Sequence, residues 1–195
     1  MVFHKHNLIF TGIPKNASSS IFDILKSNTD NYHHHESLLL EYTKNDTDLM
    51  ETYSSFCVVR NPYDRFISAC YQIKRDEEDE NPNLSLDEIA FRIRDNGIFN
   101  EVFSPQHNFI CFGNRILIDK ILRFESLNED WKAYVDEHNK NARFRVDHRL
   151  PKSNTSENRK NWEQELQLLN NDNLILINQL YAKDFELFEY EMVKR

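Results

Sequence analysis

The chain has 195 residues, 39% hydrophobic and 29% charged, the balance of a folded domain with its own core and not of a disordered chain. Its formal net charge of −8 argues against a general nucleic-acid binder, whose affinity rests on phosphate contacts, yet leaves room for a small anion in a local basic pocket. Cys57, Cys70 and Cys111 are scattered and odd in number, so no disulfide framework is expected, and no apolar run approaches the roughly 18 residues that span a bilayer.

In chain order, Leu8-Ile9-Phe10-Thr11 is a buried strand, entered directly from His4-Lys5-His6 with no signal-peptide pattern before it. A helix is expected over 18–27, with Ile21, Ile24 and Leu25 on one face, and a short helix over 37–42 after His33-His34-His35. Phe56-Cys57-Val58-Val59 reads as a second strand, continuously apolar as in a sheet covered on both faces. Pro62 then suits the first turn of a helix, where its missing N–H costs nothing. Residues 74–83 are a charged loop, Ser85 and Glu88 form a capping box for a helix through Ile93, and Asn96-Gly97 ends it. A strand over 116–124, a helix from 128 or 129 to 138, a polar loop over 139–161, one or two helices over 162–181 and a packed segment over 185–190 complete the chain. Alternating strands and helices predict a single domain over 1–195, an α/β three-layer sandwich around a mostly parallel sheet.

Two motifs carry chemistry. Pro14-Lys15-Asn16-Ala17-Ser18-Ser19-Ser20 lies between the first strand and the first helix, where backbone N–H groups at a helix start point at an anion. A Walker loop needs GxxxxGK[ST]; here the second glycine and the late lysine are missing, which disfavours ATP or GTP hydrolysis. Read alone, the stretch is equally an ordinary turn with Ser18 as N-cap. The second motif is Arg60-Asn61-Pro62-Tyr63-Asp64-Arg65-Phe66-Ile67-Ser68. Arg60 falls at the carboxyl end of a strand, where ligands bind in open α/β sheets, and Arg65 and Ser68 share a helix face. Together they could clamp a phosphate by charge-assisted bonds.

Taken as a pair, the motifs resemble those of the PAPS-dependent sulfotransferases, in the carbohydrate sulfotransferase branch. There a PKxxxxS loop binds the 5′-phosphosulfate of 3′-phosphoadenosine 5′-phosphosulfate (PAPS) and an RNPxxRxxS segment binds its 3′-phosphate. The resemblance extends to Ser104-Pro105-Gln106, to Leu122-Arg123-Phe124-Glu125-Ser126-Leu127, to a donor-closing loop over 150–160 carrying Asn154, Ser156, Arg159 and Lys160, and to the aromatic end of the chain. It is weak over 72–103, and Asn16-Ala17-Ser18 departs from the Thr-Gly-Gly of many relatives.

The resemblance implies a P-loop-NTPase-like sulfotransferase fold and PAPS as donor, held by Lys15, Asn16, Ala17, Ser18, Ser19, Ser20, Arg60, Arg65 and Ser68 together with Asn154, Ser156, Arg159 and Lys160. The acceptor would be a hydroxyl, first of all on a glycan. Its proton needs a base with a pKa near the working pH, which points to His35, then His34, with Glu36 as a further candidate. Lys15 would neutralise charge on the leaving bisphosphate. No metal is expected: three adjacent histidines converge poorly on one ion. The alternatives are a P-loop-like nucleotide or phosphometabolite kinase and a non-catalytic protein that binds the product bisphosphate, PAP. The acidic run Asp76-Glu77-Glu78-Asp79-Glu80 would repel a highly sulfated acceptor, although as a solvated charge run it needs no role. The expected location is cytoplasmic, with a Golgi-type catalytic domain lacking its anchor as the alternative.

Overall fold

The structure, a computed structural model, describes residues 1–26, 51–97, 100–150 and 161–194. The helix expected over 37–42, His33 to His35 with Glu36, and the donor-closing residues Asn154, Ser156, Arg159 and Lys160 lie outside them. In chain order the described elements are β1 (Val2–Phe3), β2 (Leu8–Thr11), α1 (Ser18–Leu25), β3 (Ser54–Val59), α2 (Pro62–Asp76), α3 (Leu86–Asn96), α4 (His107–Ile110), β4 (Cys111–Phe112), β5 (Arg115–Ile116), β6 (Lys120–Arg123), α5 (Leu127–His138), α6 (Trp162–Leu168), α7 (Asn171–Leu180) and α8 (Ala182–Leu187). They form two compact units, Met1–Arg60 with Gln106–Thr155 and Asn61–Pro105 with Ser156–Arg195.

The first unit holds a mixed sheet in the order β1-β2-β3-β6, with β2, β3 and β6 parallel and β1 antiparallel at the edge. The α/β expectation is met. Leu8, Phe10, Phe56, Val58 and Leu122 point to one face and pack with Ile21 and Leu25 of α1 and Trp131 and Val135 of α5. Phe10 stacks on Phe56 at 4.9 Å between ring centroids. Side chains alternate along a strand, so Ile9, Cys57 and Val59 point the other way, and they are buried as well. This accounts for the unbroken apolar runs in the sequence. Burial also pushes the Cys57 thiol well above its ordinary pKa, so it is an inert core thiol.

The strand expected over 116–124 is two strands. Residues Arg115–Ile116 pair with β4 in a separate hairpin turned at Gly113 (φ 59°), while Lys120–Arg123 joins the main sheet. Asp119 marks the break: its Oδ2 accepts from Ser55 N–H and Ser55 Oγ–H, both at 2.7 Å, and pins the start of β6 beside the start of β3. The edge strand β1 carried no sequence signal, since two residues show no period.

The second unit is helical. Tyr63, Phe66, Ile89, Phe103, Leu174, Ile177 and Phe185 lie in its core. Asn61 caps α2 through Tyr63 N–H and Pro62 opens the helix, as expected. That helix runs on to Asp76, into the stretch read as loop. The capping box on α3 is present, and Gly97 ends the helix at φ 74°. Among the described residues no helix is long and apolar enough to cross a membrane.

Candidate functional site

The loop between β2 and α1 is built around two non-glycine residues in the left-handed region, Lys15 at φ 70° and Ala17 at φ 60°. For an L-residue this conformation costs about 1–2 kcal/mol, so the surroundings must hold it. A turn of this kind directs backbone N–H groups toward a common point, where an anion can sit. Helix α1 then begins with Ala17 as its N-cap; the sequence had pointed to Ser18. Ala17 offers no side-chain acceptor, and no acid stands in the first turn. The helical ladder of α1 opens with Ile21 N–H donating to Ala17 C=O at 3.2 Å, so the N–H groups of the three serines precede it. Ser18 and Ser20 are buried and Ser19 is exposed.

Asn16 holds this loop from within. It is fully buried, and its Nδ2 donates to Val58 C=O at 2.8 Å and to Gln106 Oε1 at 2.7 Å. Its side chain thus faces the end of β3 and leaves only the backbone to face a ligand.

Arg60 follows the last residue of β3, as the sequence indicated, but its guanidinium does not project into solvent. It is 2% exposed, its Nη1 donates to Lys15 C=O at 2.6 Å, and its Cζ lies 4.1 Å from the Phe124 ring centroid. The arginine of the second motif therefore grips the backbone of the first. Its main chain is paired with the Gln106 amide, which accepts from Arg60 N–H and donates to Arg60 C=O, both at 2.9 Å. All of these bonds lie within the first unit.

Arg65 belongs to the second unit. Its side chain is fully buried on α2, and Nη2 donates to Val102 C=O at 3.0 Å and Ser104 C=O at 2.8 Å, with the Tyr181 ring 5.9 Å from Cζ. Through these bonds it ties the segment before Pro105 to α2. Ser68 sits on the same helix and is half-buried.

Lys15, the serines and Arg60 lie at the strand and helix ends that the sequence indicates, and Gln106 and Phe124, which the sequence does not connect to them, are in contact with Asn16 and Arg60. Both lie in segments whose resemblance had been noted, but nothing local shows which backbone an amide will pair with.

The geometry is a left-handed loop at the carboxyl end of parallel strands, with basic side chains from two successive strand ends and no acid at the helix start, a kind of place where an anion can sit. The family model described as "Sulfotransferase family" matches residues 1–191. The chain belongs to that family. No curated protein and no solved structure matches it.

Proposed function

We propose that the chain moves a sulfuryl group from PAPS to a hydroxyl acceptor, a carbohydrate first among acceptor classes. The observation that carries this reading is the open start of α1: a helix N-terminus without side-chain cap or acid, entered through a left-handed turn beside Lys15. Such an end favours a dianionic phosphate and disfavours a neutral ligand. The donor supplies an activated sulfur. The acceptor oxygen bonds to that sulfur as the bond from sulfur to the 5′-phosphate oxygen breaks. Lys15 neutralises the charge that develops on the departing phosphate, and the backbone of the Ser18–Ser20 turn holds it in line. His35, or in its place His34, receives the acceptor proton. Arg60 supplies positive charge for the 3′-phosphate and fixes the carbonyl of Lys15.

Labelled PAPS offered with a panel of glycan and small hydroxyl acceptors tests this reading. Transfer is expected, with Lys15→Ala lowering it by about 100- to 1,000-fold, the usual effect of removing one preorganised electrostatic partner. A melting temperature unmoved by millimolar PAP would overturn it. PAP binding without transfer to any acceptor would leave a non-catalytic nucleotide binder. Magnesium-dependent ATP turnover lost in Lys15→Ala would move the reading to a kinase.

A further inference from the structure

The bonds around Gln106 close a ring. Asn16 donates to Gln106 Oε1 at 2.7 Å, Gln106 pairs with both backbone groups of Arg60, and Arg60 Nη1 donates to Lys15 C=O at 2.6 Å, one residue from where the ring began. Asn16 and Gln106 are each fully buried, so these bonds do not compete with water, and losing one leaves a buried polar atom unsatisfied. The last ladder pair of β3 with β6 is Val59 with Arg123. Beyond it the Gln106 carboxamide acts as one more strand residue, carrying the direction of β3 through Arg60. The same Oε1 holds the side chain of Asn16, the residue flanked by the two left-handed residues Lys15 and Ala17. One carboxamide thus fixes both the strained anion loop and the arginine that follows β3.

The place calls for a carboxamide: Oε1 accepts from Asn16 Nδ2 and from Arg60 N–H, and Nε2 donates to Arg60 C=O. A glutamate keeps the two acceptors but turns a carboxylate oxygen toward Arg60 C=O, and a leucine keeps volume and loses every bond.

We infer that Gln106 is the positioning residue of this site: it sets the conformation of the Lys15–Ala17 turn relative to Arg60 before any ligand arrives. What the turn binds rests on the reading proposed above; its geometry does not.

The test uses the full chain with two readouts. The first is hydrogen-exchange protection of the Lys15, Ala17 and Ser18 amides, with Val58 as internal control. The second is PAP affinity by calorimetry. In Gln106→Leu the loop amides should lose at least tenfold in protection while Val58 holds, and PAP should bind at least tenfold more weakly. Gln106→Glu carries the decisive signature. At neutral pH it should loosen the loop. As the pH falls and its buried carboxyl protonates, the regained O–H can donate to Arg60 C=O, and protection should return. A residue that merely fills space would lose and regain protection at Val58 and at the loop amides alike, because burying a carboxylate is costly anywhere in the core. Unchanged loop protection in a folded Gln106→Leu, or a flat profile in Gln106→Glu, would overturn the inference. If Gln106→Leu fails to fold, the profile in Gln106→Glu decides alone. If the wild type does not bind PAP at millimolar concentration, the donor reading fails and the exchange data still decide the role of Gln106.

Discussion

Two helix starts in this chain are built in opposite ways. At α3, Ser85 Oγ accepts from Glu88 N–H at 3.2 Å, Glu88 Oε2 accepts from Ser85 N–H at 2.8 Å, and Asp87 and Glu88 both stand in the first turn. Orphan donors are satisfied and the positive end of the helix dipole meets carboxylates of its own chain. At α1 there is no side-chain cap and no first-turn acid: the N-cap is an alanine in a left-handed conformation, and a lysine stands two residues earlier. Of the described helices of eight or more residues, α1 alone lacks both a side-chain cap and a first-turn acid. A chain able to build a full capping box leaves this start without a side-chain cap or acid, and on the reading proposed above that is where the donor phosphate sits.

The comparison breaks most severely if α1 is given the acid that α3 has. Ser19 is exposed in the first turn, so Ser19→Glu can be accommodated. Its carboxylate should stabilise the unliganded protein by about 0.3–1 kcal/mol through the helix dipole. It should also repel an incoming phosphate: at about 5 Å and an effective dielectric near 20, each like-charge pair costs about 3 kcal/mol. PAP affinity should therefore fall roughly 100-fold while the melting temperature of the free protein rises slightly. A variant that keeps both stability and affinity would show that the α1 start is not the anion site.

The reverse substitution at α3 should touch stability alone. Ser85→Ala removes the acceptor of the capping box, and such losses cost about 1 kcal/mol. For a chain of this size that lowers the melting temperature by about 2–4 °C. PAP affinity should not move. Loss of affinity in parallel with stability would make the two helix ends one cooperative system.

A smaller change sharpens the comparison at α1 itself. Ala17 holds φ 60° with no glycine to ease it. Ala17→Gly should recover part of the left-handed penalty, less the entropy glycine adds to the unfolded chain, for a net gain of a few tenths to about 1 kcal/mol. Denaturant midpoints measure this directly. A loss of stability would mean that the Ala17 methyl makes packing contacts worth more than the strain.

What the sequence revealed and what it hid follow the range of the interactions involved. The capping box, Pro62 at a helix start, Gly97 at a helix end and the buried run of β3 are all decided within a few residues, and all were legible. The loop between β2 and α1 was legible as a strand-to-helix connection carrying a lysine and three serines, a pattern that read alone fits an ordinary turn equally well. Its inner construction was not. Gln106 reaches 46 residues back to Arg60 and 90 to Asn16, and no local pattern encodes such a pairing. Arg65 shows the same limit from the other side: the spacing to Ser68 gives a shared helix face but not whether the guanidinium meets water or the carbonyls of Val102 and Ser104, 37 and 39 residues along the chain.

The finest contrast between the two helix starts is their response to pH. Bonds from the Ser85 hydroxyl and backbone N–H hold the Glu88 carboxyl below its ordinary value of 4.5. A carboxylate whose folded pKa is depressed contributes stability that is complete above its unfolded pKa and disappears as the pH falls through the folded one. The α3 contribution should therefore be full at neutral pH, begin to decline near pH 4.5 and vanish below the folded value. Glu88→Gln lacks the titrating group. The difference in melting temperature between wild type and Glu88→Gln should be constant above about pH 6, shrink through the acid range and close at its lower end. At α1 the first turn holds no carboxylate, so Ser19→Gln measured against wild type should show no comparable acid-range dependence. A matching acid-dependent difference at both positions would mean that a carboxylate from elsewhere in the chain already serves the start of α1, and that this end is not open to substrate.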